Sequence, residues 1–147
     1  TAWNDTEPTS SVFSVGSSAN TNNGSDDFIA YCFAEKTGYS KFGSYVGNGN
    51  ADGPFVYCGF KPAFIMFKNA DATGNWVMSD SSRDSDNPVF GYQVAEGTAI
   101  EERGTALFDS LSNGFKMRNS WVSFNGDTNN IIFMAFAESP FQTANAK

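Results

Sequence analysis

The chain repeats part of itself at a spacing of about 100 residues, which is the size of one small domain. Residues 27–35, DFIAYCFAE, align without a gap on residues 130–138, NIIFMAFAE. Three shorter stretches repeat in the same order, namely 1–3 with 105–107, 11–15 with 113–117 and 22–25 with 125–128. A repeat of this length predicts a fold in which each domain is one copy of a unit that recurs along the chain.

The repeat predicts the domain organisation. Residues 1–39 are expected to be the C-terminal part of one repeat, residues 40–143 one complete repeat, and residues 144–147 a tail or linker. An apolar strand at 28–35 needs a partner, because its edges and faces cannot stay open. That partner is the complete copy, another chain, or a neighbouring domain. Tandem domains more often display or space something than catalyse a reaction.

Composition favours strands over helices. The chain has fifteen Phe, five Tyr and three Trp beside fourteen Gly, a mixture that suits pleated, half-buried surfaces. Its apolar stretches are short and bounded by turn residues, which predicts a series of short strands. These are 28–35, 55–58, 63–67, 75–79, 115–118, 120–124 and 131–138, with 120–124 and 131–138 joined by an Asn125-Gly126 hairpin turn. We therefore expect an all-β, antiparallel, jelly-roll-like β-sandwich, with loop and one short helical turn between 93 and 111.

Charge excludes some classes of partner. The formal net charge is −7, and the nine Lys and Arg residues form no basic cluster, so a nucleic-acid groove is not expected. No apolar run approaches the length of a membrane span, and we expect no membrane insertion.

Cys32 aligns with Ala135, so the repeat does not require a disulfide. Two free cysteines packed in the core are the preferred interpretation, and a Cys32–Cys58 bridge remains open.

The residue types restrict catalysis to carboxylates. The chain contains no histidine, which removes Ser-His-Asp and Cys-His catalysis and histidine-ligated metals. One acidic segment offers oxygen ligands for calcium through Asp80, Asp84, Asp86 and Asn87. A solvated turn is the preferred interpretation of that segment, so we expect no cofactor. Two adjacent carboxylates in a loop also lack the fixed separation that glycoside hydrolysis needs, and we expect no enzyme.

The order of motifs carries a resemblance. The chain reads YCFAEKTGYSKFGSY at 31–45, GNG at 47–49, GFKPAFIMFK at 59–68, DSSRD at 80–84, SNGF at 112–115 and FMAFAE at 133–138. This resembles a repeated β-domain found in virion proteins of tailed phages, many of them marine, that are labelled tail-fibre-like. The resemblance implies an extracellular location on a virion appendage and contact with host glycans. It implies no catalytic residues.

Glycan binding would require exposed aromatic faces, and the candidates are Trp76, Tyr92 and Trp121. Burial in the core is the competing interpretation for each of them. We expect a non-enzymatic virion module that recognises a host-surface glycan and assembles with other virion chains, as a homo-oligomer. The alternatives are a structural spacer, a capsid decoration or a self-assembling filament subunit, and lastly a glycan-depolymerising enzyme.

Overall fold

The computed structural model describes residues 1–139. It divides into one unit at Thr1–Phe33 and a second that begins at Ala34. The predicted end of the complete repeat at 143 and the predicted tail at 144–147 lie outside the described residues. Among residues 1–139, no helix is long and apolar enough to cross a membrane.

The first unit contains turns, bends and irregular chain, with no strand or helix. The backbone N–H of Gly16 and the hydroxyl of Thr21 both donate to the carbonyl of Ala2, at 2.8 and 3.1 Å. The rings of Trp3 and Phe13 meet edge to face with centroids 6.4 Å apart. These contacts tie distant parts of the unit together, but they do not form a sheet.

The second unit is an antiparallel sheet with one helix. The described residues form β1 (Ser40–Val46), β2 (Phe55–Tyr57), β3 (Pro62–Asn69), β4 (Val77–Asp80), β5 (Val89–Val94), β6 (Glu102–Leu111), β7 (Gly114–Met117), α1 (Val122–Asn125) and β8 (Asn130–Ala137). The strand order is β1-β8-β3-β4-β5-β6-β7-β2, and every pairing is antiparallel. The predicted all-β, antiparallel fold is confirmed.

Alternation of side chains directs each strand toward the core. In β3, Ile65 and Phe67 are buried whereas Met66 between them is only partly buried. In β8, Ile131 and Phe133 are buried and Ile132 is exposed. Period-two alternation of this kind places one face of each strand inward.

Aromatic rings join the two halves of the sheet. Phe115 of β7 is fully buried. Its ring lies edge to face with Phe67 of β3 at 5.4 Å and with Phe133 of β8 at 5.3 Å. Phe108 of β6 meets Phe67 at 5.7 Å. The half formed by β1, β8, β3 and β4 therefore packs on the half formed by β5, β6, β7 and β2, as in a sandwich whose layers are continuous through the β4–β5 pairing.

A buried asparagine determines the chain path near α1. The amide of Asn125 donates to Asn48 Oδ1, to the Asn50 carbonyl and to the Asn119 carbonyl, and its oxygen accepts from the Asn48 backbone N–H. The Asn125 N–H donates to the Trp121 carbonyl at 2.7 Å and closes a helical turn. The predicted strand at 120–124 with an Asn125-Gly126 hairpin turn is therefore wrong, because this asparagine is a core residue.

Two other local predictions are also wrong. Residues 28–35 form no strand in this chain, since no neighbouring strand pairs with them. The stretch 93–111 contains the longest strand, β6, in place of a loop with a helical turn. In β6, Leu107 and Phe108 are adjacent and both buried, and the pairing with β5 is irregular, so the period-two pattern is interrupted.

The two cysteines are free, as preferred from the sequence. Cys58 is buried, which raises the pKa of its thiol to about 11. Cys32 is exposed, so the expectation that it packs in the core is wrong. Only Cys32 is accessible to a thiol reagent in the folded chain.

Replacing Phe115 with alanine should lower the free energy of unfolding by about 3–5 kcal/mol, because the cavity removes ring contacts with both halves of the sheet. Phe55→Ala on the paired strand β2 is the matched control, since Phe55 is 46% exposed, and it should cost less than about 1 kcal/mol. Urea denaturation measures both. Equal losses would contradict a core centred on Phe115.

Candidate functional site

Two of the predicted aromatic residues come together at the surface. Tyr92 lies in β5 and Trp121 directly precedes α1, and their rings meet edge to face at 6.0 Å. The Trp121 ring also packs on Phe124 at 5.6 Å, and its backbone N–H donates to Asn119 Oδ1 at 3.0 Å. Trp121 is 38% exposed. The pair is thus fixed to the core on one side and open to solvent on the other.

A carboxylate holds the phenol of Tyr92. The hydroxyl donates to Glu102 Oε2 at 2.6 Å. Burial raises the pKa of Tyr92 to about 12, and the hydrogen bond and negative charge of Glu102 act in the same direction. The phenol therefore remains protonated at neutral pH and orients the ring beside Trp121.

Trp76 stands apart from this pair. Its indole is 39% exposed, and its backbone N–H donates to both carboxylate oxygens of Glu96 at 3.1 and 3.0 Å. In the described part of the chain its ring makes no contact with the ring of Tyr92 or Trp121. The structure thus brings together two of the three predicted glycan-binding residues.

The acidic segment after β4 is an ordered turn. Asp80 Oδ1 accepts from the backbone N–H groups of Ser82 and Arg83, both at 3.1 Å, and Asp80 Oδ2 pairs with Arg83 Nε at 2.6 Å. An aspartate that accepts from the next two or three backbone N–H groups is a common way to begin a turn. Asp80 therefore shapes the exit from β4.

The remaining predicted calcium ligands point to different partners. Asp84 Oδ2 accepts from the backbone N–H groups of Phe90 and Gly91, at 2.6 and 2.9 Å. The Asn87 side-chain N–H donates to the Ser110 carbonyl at 2.9 Å, and Asn87 Oδ1 accepts from the Ser110 backbone N–H at 2.8 Å. Asp86 is exposed. No group of three acidic, cysteine or histidine side chains suited to a metal ion occurs among residues 1–139. The calcium site stays a prediction, and these contacts support the turn interpretation.

Sequence reasoning missed an ion-pair network behind this turn. Arg103 Nε pairs with Glu101 Oε1 at 2.5 Å, and its Nη2 donates to the Arg83 carbonyl at 2.5 Å. Arg83 Nη1 lies 3.4 Å from Glu101 Oε2, and Arg103 Nη1 lies 3.7 Å from Asp84. In the sequence, Glu101-Glu102-Arg103 has the composition of a solvated patch. Their pairing across 18 or more residues depends on β6 lying beside β5, which was not predicted.

Two depressions of the second unit lie near acidic residues. One of about 10 Å³ is lined in part by Asp80 and Asp84, which is room for about one water molecule. A shallower one of about 230 Å³ lies beside the Lys61–Glu138 ion pair, and Glu138 is the only acidic residue that lines it. Neither holds two facing carboxylates with space for a sugar between them.

These features define a small all-β domain with an ordered acidic turn and a partly exposed aromatic pair. The chain belongs to the family described as a domain of unknown function, DUF7483, whose model matches residues 1–140. The match takes in residues of both units. Neither the curated proteins nor the solved structures gave a match.

Asp84→Ala should lower the free energy of unfolding by about 1–3 kcal/mol, because two backbone N–H groups lose their acceptor. The loss should be the same in EDTA and in excess calcium. Asp86→Ala is the control, and its effect should stay within about 0.5 kcal/mol. If calcium stabilises the unaltered chain and the effect of Asp84→Ala disappears in EDTA, the segment binds calcium and the turn interpretation is wrong.

Proposed function

We propose that this chain is a non-enzymatic structural module of a virion appendage, such as a tail fibre, that packs against further copies of its own fold. The observation that carries the proposal is a row of methionines on the outward face of the sheet. Met134 of β8, Met66 of β3 and Met78 of β4 are paired side by side across three adjacent strands. The chain has four methionines, and the fourth, Met117, is in the core.

The row faces away from the core. On each strand the residues flanking the methionine are buried, as Ile65 and Phe67 are around Met66, while the methionines are only partly buried. Ile132, on the same face of β8, is 38% exposed. A contiguous apolar surface on a sheet face is typical of a protein interface, and methionine side chains adapt to the shape of a partner.

Several observations support a second copy as the partner. Residues 27–35 repeat at 130–138, so the chain carries part of the sequence of this fold a second time. The resemblance to tail-fibre-like β-domains supplies the virion context and an extracellular location, and the proposed role needs no cofactor. Packing of this kind is also what a spacer, a capsid decoration or a filament subunit would use.

Self-association can be tested by sedimentation. The chain should form oligomers as its concentration rises, and Met66→Glu should weaken the association by about 30-fold or more, the loss that corresponds to about 2 kcal/mol at a central interface residue. Ile100→Glu is the matched control, since Ile100 is 85% exposed in a loop, and it should leave association unchanged. A chain that sediments as a monomer at every concentration would overturn the proposal.

Host-glycan recognition is the second candidate, and the Tyr92–Trp121 pair favours it. A partly exposed indole supported by a second ring offers an apolar face to a sugar ring, and the Glu102 carboxylate lies beside it. Protein sites for small ligands combine apolar surface with a few fixed polar groups in this way. Single contacts of this size are weak, and repetition along an appendage would strengthen them through effective concentration.

A glycan array followed by calorimetry tests this candidate. Trp121→Ala should reduce the affinity for any glycan that binds by at least tenfold, since stacking on the indole is lost. Trp76→Ala is a closely matched control, because the two tryptophans are 39% and 38% exposed, and it should leave the affinity unchanged. Equal losses for both variants, or no binding to any glycan, would remove glycan recognition at this pair.

A further inference from the structure

The first unit repeats the sequence of a particular part of the fold. Residues 1–3 align with 105–107 in β6, residues 11–15 with 113–117 around β7, and residues 28–34 with 131–137 in β8. The polar stretch 22–25 aligns with 125–128 at the end of α1. The aligned blocks therefore follow the order β6, β7, α1 and β8.

The aligned core positions differ in burial. The equivalents of Trp3, Phe13 and Phe28 are Leu107, Phe115 and Ile131, each at most 1% exposed. Trp3, Phe13 and Phe28 themselves are 61%, 44% and 48% exposed. Cys32, which aligns with the fully buried Ala135, is also exposed. The first unit thus has the apolar residues of this part of the fold without the burial.

The position of β8 in the sheet indicates which strands the first unit lacks. β8 pairs with β1 along one edge and with β3 along the other, so its burial depends on strands that precede β6 in the chain. The first unit has no equivalents of β1 to β5. A strand at 28–34 would need both neighbours, since two open edges and an apolar face are unstable in water.

We propose that residues 1–35 are the β6–β8 part of another copy of this fold, and that they bind the β1–β5 part of that copy by inserting 28–34 between its β1 and β3. The partner is a segment equivalent to 34–104 in another copy of this fold. Phe28, Ala30 and Cys32 then face that copy's core, at the positions of Ile131, Phe133 and Ala135. Ile29 takes the partly exposed position of Ile132.

The test adds the missing part to the full chain. A second copy of residues 34–104 is placed directly before Thr1, so that the new Gly-Thr junction reproduces Gly104-Thr105. Both copies of Cys58 are replaced by alanine, which leaves Cys32 as the only thiol, and the unextended chain with Cys58→Ala is the reference. Labelling of Cys32 by a thiol reagent should be at least about 100-fold slower in the extended chain, because a buried thiol reacts only when the structure opens.

Two adjacent substitutions in the extended chain serve as matched variants. Phe28→Asp should restore fast labelling of Cys32, because a carboxylate would be buried at the position of Ile131. Ile29→Asp should leave labelling slow, because Ile132 is 38% exposed. A soluble extended chain in which Cys32 reacts as fast as in the reference would overturn the proposal.

A second variant keeps the test decisive if the extended chain does not fold. In the original chain, residues 130–137 are replaced by the sequence of 27–34, which places the cysteine at the position of Ala135. With Cys32→Ala and Cys58→Ala both present, the transplanted cysteine is the single thiol of this chain. The chain should unfold cooperatively, and that thiol should react slowly. A chain that has lost its cooperative transition would show that 27–34 cannot act as β8, and the proposal fails. Neither result depends on the proposed virion role, which the sedimentation experiment tests separately.

Discussion

The packing of Phe115 between the two halves of the sheet is the contact on which the rest of the domain depends. Its ring reaches β3 through Phe67 and β8 through Phe133, so one side chain joins strands that lie far apart in the strand order. Edge-to-face rings combine large apolar area with a preferred orientation. This explains how a chain with many phenylalanines forms a defined core, since the edge-to-face geometry of the rings fixes the distance between the two halves of the sheet.

β8 is the second requirement, because it lies between the first and third strands of the chain. A strand in that position cannot form until β1 and β3 are present, and the last part of the sequence therefore closes the sheet. The same dependence explains the contrast between residues 131–137 and their counterparts at 28–34. Similar apolar patterns give a central strand at 131–137 and irregular chain at 28–34. The presence of neighbouring strands, and not the β-propensity of the residues, decides the outcome.

The sequence alone predicted those strands that are short apolar stretches bounded by turn residues. The strands around Ile65, Val77 and Ile131 were correct, since each of them is such a stretch. β6 was not predicted, because Leu107 and Phe108 are buried in succession. α1 was mistaken for a strand, since the side chain of Asn125 bonds to residues as distant as Asn48, and no local pattern shows such a contact.

The candidate sites also differ in whether their contacts depend on the fold or on the local sequence. Tyr92 and Trp121 were chosen as single residues, and their contact arises because β5 passes beside the start of α1. The turn interpretation of the acidic segment is supported at Asp80, because its carboxylate accepts from the backbone N–H groups of Ser82 and Arg83.

The aromatic pair and the methionine row have different physical requirements, and the fold separates them. The pair lies where β5 meets the start of α1, held by Glu102 and Asn119, and a rigid site of this kind retains its geometry in every copy. The row lies across β8, β3 and β4, where unbranched side chains can adjust to a neighbour. A module that both assembles and recognises a ligand needs this division, because a surface buried between copies is no longer available to a ligand. In the proposed appendage, repetition would strengthen both proposed functions, since each added copy brings one more packing surface and one more aromatic pair.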